Sequence, residues 1–312
     1  MHSAVLVTSI GSKHALLRVL KKAMYDFNPS LLLIGADINS DVVTKSSVDI
    51  FWHMPRLDEL TFQELLNYVQ ENNISYIIPT RDAELLFFSK YKTSLLNYGV
   101  HTFVADVEVV NFCYDKLHFY TQRKIDWAIQ TSTTLENIQT ENIVLKERFG
   151  AGAKDIKCNV TKTETLTFAD SLQNPIFQPY ISGDEYSIDC YVDKHMQCRA
   201  VVVRSRDVVV NGESQISTTK EIPELKQQAA AFVELHRIQG HSLLQVILNE
   251  KGSHLIECNA RFGGASSLSE YVGLRSFYWF FLESVGKKFL VTLQKHSIQQ
   301  RRLSKEDTYH EC

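Results

Sequence analysis

Residues 242–269 read SLLQVILNEKGSHLIECNARFGGASSLS, and the fold turns on how this stretch pairs with itself. Two apolar runs flank Glu250-Lys251-Gly252, which predicts a hairpin with strands over 242–249 and 254–259. With the hairpin symmetric about Lys251, Gln245 stands opposite Glu257. Directly opposite residues of an antiparallel pair point to the same face. Asn259 is two residues beyond Glu257 and shares that face, and Arg261 follows if the strand continues. Leu244, Val246, Leu248, Ile256 and Cys258 fall on the other face, the expected core side. Three oxygen-bearing side chains on one side of an apolar hairpin admit two readings. One is a solvated polar face; the other is a seat for Mg²⁺ shared with phosphate oxygens. A one-residue slip in register would separate the three.

Upstream, the first hundred residues alternate strand and helix. Apolar strands are expected at 4–8, 31–34, 75–79 and 101–105, with amphipathic helices after Gly11 and over 57–72 and 82–98. Short strand–helix–strand units imply a parallel sheet covered on both faces. After about residue 106 the pattern changes. A helix is expected over 111–126, then strands at 142–148, 156–161, 177–181, 186–193 and 197–204, and helices over 221–236 and 267–283. The segment GESQISTTK (212–220) reads as a loop, and the basic C-terminal stretch as a helix with a loose tail.

Three further segments carry chemistry. IVLKERFGAG (143–152) places Lys146 in an apolar strand, where an unpaired charge is costly, and follows it with Gly150 and Gly152. Such glycines serve an ordinary hairpin turn or a loop whose backbone N–H groups approach phosphate. The Walker pattern GxxxxGK[ST] is absent. FQPYISGDEYSID (177–189) carries Gln178, Tyr180, Ile181, Gly183 and Glu185. VVVRSR (201–206) puts Arg204 and Arg206 on one strand face, suited to carboxylate or phosphate, or simply to a basic strand end.

Taken in order, these segments resemble the ATP-grasp superfamily, in particular the branch of the carbamoyl-phosphate synthetase large subunit and related carboxylate–amine ligases. The likeness spans nearly the whole chain. It implies a Rossmann-like pre-ATP-grasp domain over 1–106 and an α+β ATP-grasp domain over 107–312, with lobes over 107–180 and 181–312. IGADINSD (34–41) and YIIPTRDAEL (76–85) resemble the strand ends of the first domain. Arg81, Asp82 and Glu84 there are candidate acceptor contacts, or helix caps. The resemblance assigns Gln245, Glu257 and Asn259 to magnesium and Arg261 to phosphate. It places Lys116 (after Asp115) and Lys146 on nucleotide phosphates, with Gly150 and Gly152 in the closing loop. It places Gln178, Tyr180 and Ile181 around the adenine, Glu185 on the ribose, and Arg204 and Arg206 beside the acceptor and γ-phosphate. One departure is visible: the family usually has Lys-Pro where this chain has Lys146-Glu147-Arg148.

The implied activity is an ADP-forming ligase using ATP and Mg²⁺, or Mn²⁺, to activate a carboxylate as an acyl phosphate for attack by an amine. Lys146, Arg204 and Arg261 are its expected catalytic residues. Two other readings share the skeleton: a bicarbonate-activating enzyme like carbamoyl-phosphate synthetase, and an inactive nucleotide-binding scaffold. The composition agrees with a soluble globular chain. Thirty-three Lys plus Arg against 36 Asp plus Glu leave a net charge of −3, with no basic excess for nucleic acid. No apolar window is long enough for a membrane span, and no signal-peptide pattern opens the chain, so a cytoplasmic location is expected. Small-molecule substrates are the expected partners, and ligases of this shape often form homodimers. The six cysteines form no CxxC pair and are expected as free thiols.

Overall fold

The structure is a computed structural model and describes residues 3–121, 125–150, 156–210, 212–294 and 297–302. The first layer is built from β1 (Ala4–Thr8), α1 (His14–Phe27), β2 (Leu32–Asp37), β3 (Ile50–His53), α2 (Phe62–Glu71), β4 (Ile74–Ile78), α3 (Asp82–Asn97) and β5 (His101–Thr102). The five strands are parallel, in the order β3-β2-β1-β4-β5. All five residues of β1 are buried, because both sheet faces are covered. Ala4 and Leu6 join the core shared with α2 and α3, while Val5 and Val7 join the core under α1. Two short helices come after this sheet, α4 (Val107–Tyr114) and α5 (Lys116–Thr121). The single helix expected over 111–126 is therefore broken at Asp115. Its carboxylate accepts from the backbone N–H of Leu117 and His118 and starts a new helix.

A three-stranded antiparallel sheet comes next: β6 (Asn142–Glu147), β7 (Lys157–Thr161) and, after α6 (Lys162–Ala169), β8 (Pro175–Pro179), in the order β7-β6-β8. The largest sheet has six antiparallel strands, ordered β13-β12-β9-β10-β11-β14. It comprises β9 (Asp184–Val192), β10 (Cys198–Val210), β11 (Glu213–Lys220), β12 (Gly240–Asn249), β13 (Gly252–Asn259) and β14 (Gln299–Arg301). α7 (Pro223–Leu235) packs on it, and α8 (Ser267–Tyr271) and α9 (Ser276–Ser284) come after β13. Three sequence expectations are corrected by this sheet and its helices. Residues 213–220 form strand β11 rather than a loop, because they pair with β10 from Val203↔Lys220 to Val210↔Glu213. The helix expected over 267–283 is two helices, separated at Gly273, whose φ is +110°. The described part of the C-terminal stretch ends in strand β14, paired to β11, rather than a helix.

The turn end of the β12–β13 hairpin is also offset from the expected symmetry. Asn249 pairs with Gly252 and Val246 with Leu255, so the turn is centred half a residue earlier than Lys251. A bulge at Ile256 then restores Gln245↔Glu257 and Leu244↔Cys258. Leu255, not Ile256, fills the core, and Ile256 is turned out of it.

One buried acid ties the large sheet to helices α8 and α9. Asp189 of β9 is fully buried and accepts from Arg204 Nε (2.7 Å), Ser266 Oγ (2.6 Å) and Ser269 Oγ (2.5 Å). His241 Nε2 lies 3.1 Å from it and His241 Nδ1 2.9 Å from Ser276 Oγ. Burial alone would raise this carboxyl, but the Arg204 charge and the His241 contact hold it far below the usual range. Among the described residues no helix is long and apolar enough to cross a membrane. Replacing Asp189 with Ala strands the Arg204 charge, so Asp189→Ala should lose about 3–5 kcal/mol in urea denaturation. A loss under about 1 kcal/mol would show that this network does not hold the sheet.

Candidate active site

The hairpin bulge decides which side chains meet. Gln245, Glu257 and Asn259 share a face, and Asn259 Nδ2 donates to Glu257 Oε1 at 3.0 Å. Two cavities adjoin at this face. A cleft of ≈ 670 Å³ opens between the three-stranded and six-stranded sheets, and a chamber of ≈ 380 Å³ opens toward the parallel sheet. Gly150, Arg206, Gly212, Gln245 and Glu257 border both, whereas Asn259 and Arg261 border only the chamber.

The cleft runs from apolar to charged. Ile129, Val144, Ile181, Ile247 and Ile256 line it together with Gln178, Tyr180 and Ser182. The Gln178 side chain is buried and donates to Thr131 Oγ1 at 2.8 Å. Gly183 sits where a Cβ would come within 2.6 Å of the Leu248 carbonyl oxygen, so close approach to the hairpin demands glycine. Asn249 Nδ2 donates to Ser182 O at 2.8 Å and fixes the same junction. At the charged end stand Lys116, Lys146, Glu257 and, from the edge, Glu185 with Arg206.

Lys146 is 4% exposed and makes no hydrogen bond or ion pair with a described residue. Burial pulls its pKa down to about 8, and Lys116 pushes it the same way while Glu257 opposes. The departure at Glu147-Arg148 proves structural. Arg148 donates to both carboxylate oxygens of Asp115, Nε at 2.7 Å and Nη2 at 2.5 Å. Burial would raise Asp115, but this contact lowers it. Glu147 accepts from the backbone N–H of Gln173 and Asn174. The Asp115–Arg148 pair places the start of α5 beside the end of β6, where Lys116 Nζ donates to Gly150 O at 2.7 Å. Gly150 has φ +94°, which favours glycine. Gly152 lies outside the described residues.

Several expected contacts are redirected. Arg261 does not stand free for phosphate. It forms a two-pronged pair with Asp82, Nε–Oδ1 and Nη2–Oδ2 both 2.7 Å, and Nη1 donates to Phe262 O. Arg204 is 1% exposed, its Nε is committed to Asp189, and it borders the chamber. Glu84 is a cap, accepting from the backbone of Thr80 and Arg81 and from Ser9 Oγ. Arg81 opens onto the chamber. Glu185 faces Arg206 Nε at 3.0 Å and remains half exposed. Lys13, on the chamber wall, has no motif signature; only its position just beyond β1 could have found it.

The donor set suits a magnesium nucleotide. One carboxylate and two amide oxygens are too few for Mg²⁺ alone, but are what it takes when phosphates and water complete its shell. Gln245, Glu257 and Asn259 would hold the ion, and it would supply charge neutralisation of the phosphates.

Comparison with known proteins agrees with this architecture. Residues 171–306 match the family described as ATP-grasp in the biosynthetic pathway with Ter operon, and residues 5–103 match the PylC-like N-terminal domain. No curated protein is matched by sequence. The chain is similar to N5-carboxyaminoimidazole synthetase from Staphylococcus aureus complexed with ADP, with a TM-score of 0.76 and 12% identity over 96% of this chain and 82% of that one. It is similar to a biotin carboxylase–ATP complex from Campylobacter jejuni, with a TM-score of 0.74 and 13% identity over 94% and 74%. L-amino acid ligase from Bacillus licheniformis gives a TM-score of 0.68 and 12% identity over 92% and 74%. At such identities the likeness establishes the fold.

The lowered pKa of Lys146 has a measurable consequence. The unfolded chain binds this proton more tightly, so stability rises between pH 8 and 10.5 and carries the full cost below pH 8. Lys146→Met should therefore stabilise the nucleotide-free protein at pH 7 by up to about 3 kcal/mol and flatten that rise. Unchanged or lower stability would show that Lys146 is already compensated.

Proposed function

We propose that the chain is an ATP-grasp enzyme, an ADP-forming ligase that activates a carboxylate for attack by an amine. The observation that carries this reading is the buried Lys146, which pairs with no described residue and faces the Glu257–Gln245 pair across the cleft, beside the boundary with a second chamber. A triphosphate at this boundary supplies an ion-pair partner that the described residues do not give Lys146. The adenine lies among Ile129, Val144, Tyr180, Ile181 and Ile247, with Glu185 near the ribose.

In the first step an oxygen of the acceptor carboxylate attacks the γ-phosphorus. The bond to the β,γ-bridging oxygen breaks and ADP leaves, giving an acyl phosphate. In the second step the amine nitrogen attacks the acyl carbon, the bond to the phosphate oxygen breaks, inorganic phosphate leaves and the amine proton passes to solvent. Lys116 and Lys146 follow the charge on the phosphates, and Gln245 and Glu257 sit where the two cavities meet. Positioning and charge stabilisation suffice for such transfers, with no side-chain nucleophile.

The size of the chamber favours an organic acid over bicarbonate, which fills only a small part of ≈ 380 Å³. The biotin carboxylase domain from Hydrogenobacter thermophilus was crystallised as a dimer with bicarbonate. A homodimer of this chain is proposed on that likeness alone.

Calorimetric titration with a non-hydrolysable ATP analogue should show Mg²⁺-dependent binding to the wild type. In Glu257→Ala the Mg²⁺ dependence should vanish and ADP release should fall at least about a hundredfold. Nucleotide binding without ADP release across a broad substrate panel would move the inactive-scaffold reading to the front, and an absence of binding to the wild type would overturn the site.

A further inference from the structure

The chamber has a charge balance of its own. Of its three acids, Asp82 is committed to Arg261, Glu213 pairs with Arg302, and Glu257 stands on the opposite wall in the face assigned to the metal. Two cations on its wall, Lys13 and Arg81, make no ion pair with a described residue. Burial lowers the Lys13 pKa, Arg261 and Arg81 add to that, and Glu84 and Glu213 oppose it. Arg204 borders the same space with its Nη1 buried and without a hydrogen-bond partner.

The fold explains why these groups meet. In the order β3-β2-β1-β4-β5 the sequence of strand addition reverses between β1 and β4, which are direct parallel neighbours. Small ligands of open parallel sheets bind outside the carboxyl ends of the strands at this reversal. Lys13 lies just past the end of β1, and Arg81 immediately precedes α3 after β4. Both open onto the chamber whose far wall is the Gln245–Glu257–Asn259 face.

We propose that the chamber selects a small dianionic acceptor, a dicarboxylic acid. One carboxylate is presented to the nucleotide at the Gln245–Glu257 boundary, and the second is held by Lys13 and Arg81. A monocarboxylate leaves both cations uncompensated in a partly desolvated site, which is where a charge-assisted contact discriminates most. This assignment rests on the ligase reading above and adds to it a substrate class and two recognition residues.

The test titrates the full chain, saturated with Mg²⁺ and a non-hydrolysable ATP analogue, with the dicarboxylates malonate to adipate and with monocarboxylates of equal length. At least one dicarboxylate should bind about tenfold or more tightly than its monocarboxylate counterpart. That advantage should disappear in Lys13→Met and in Arg81→Gln, while both variants keep wild-type affinity for the ATP analogue. Lys13→Arg should retain most of the preference, which a merely structural Lys13 would not predict. Equal binding of the two series, no binding of either, or an advantage that survives both substitutions overturns the proposal. Loss of ATP-analogue binding by the wild type would instead strike the ligase reading, and repeating the acid titrations without nucleotide separates the two failures.

Discussion

The site depends on one irregularity in backbone pairing, the bulge at Ile256. Without it, the turn geometry would set Gln245 against Ile256 and turn Glu257 toward the core side. The bulge inserts one residue, so Leu255 stays in the core, Ile256 lines the cleft and Glu257 returns opposite Gln245. The cost is a locally disrupted ladder. The gain is a carboxylate at the boundary of two cavities with an apolar wall beside it.

Around this hairpin, charges fall into two groups. Asp189 with Arg204, Asp82 with Arg261 and Asp115 with Arg148 are closed pairs at 2.5–2.7 Å. They fix the large sheet internally, the hairpin exit to α3, and α5 to the end of β6. The first of these is fully buried and the other two partly so; a buried pair adds little net stability against apolar replacement but is expensive to break singly, so it sets geometry. Lys146, Lys13 and Arg81 form the second group, with no counter-ion among the described residues. Their positions divide the work of the site: Lys146 belongs to the cleft, and Lys13 and Arg81 to the chamber.

Much of this was legible in the sequence. The parallel first sheet is expected from short, fully apolar strands alternating with amphipathic helices, and the Gln245–Glu257–Asn259 face from hairpin symmetry. Symmetry about Lys251 yields the right pairing through a turn centred on the wrong residue, because a bulge leaves no mark in composition. It therefore misassigns Ile256 to the core. The commitment of Arg261 was hidden because its partner lies far away in sequence: it meets Asp82 across 179 residues. Residues 213–220 carry too many polar side chains to read as a strand, yet pairing with β10 and β14 overrides that composition. Lys13 is a single lysine in a loop, and only the strand order shows that it faces a cavity.

The most direct test is a crystal structure of the protein with Mg²⁺ and a non-hydrolysable ATP analogue. The triphosphate should lie between Lys146 and Glu257, the metal on Glu257 with Gln245 or Asn259, and the adenine against Tyr180 and Ile181. A nucleotide bound elsewhere, or one whose phosphates leave Lys146 without contact, would contradict the assignment of this site.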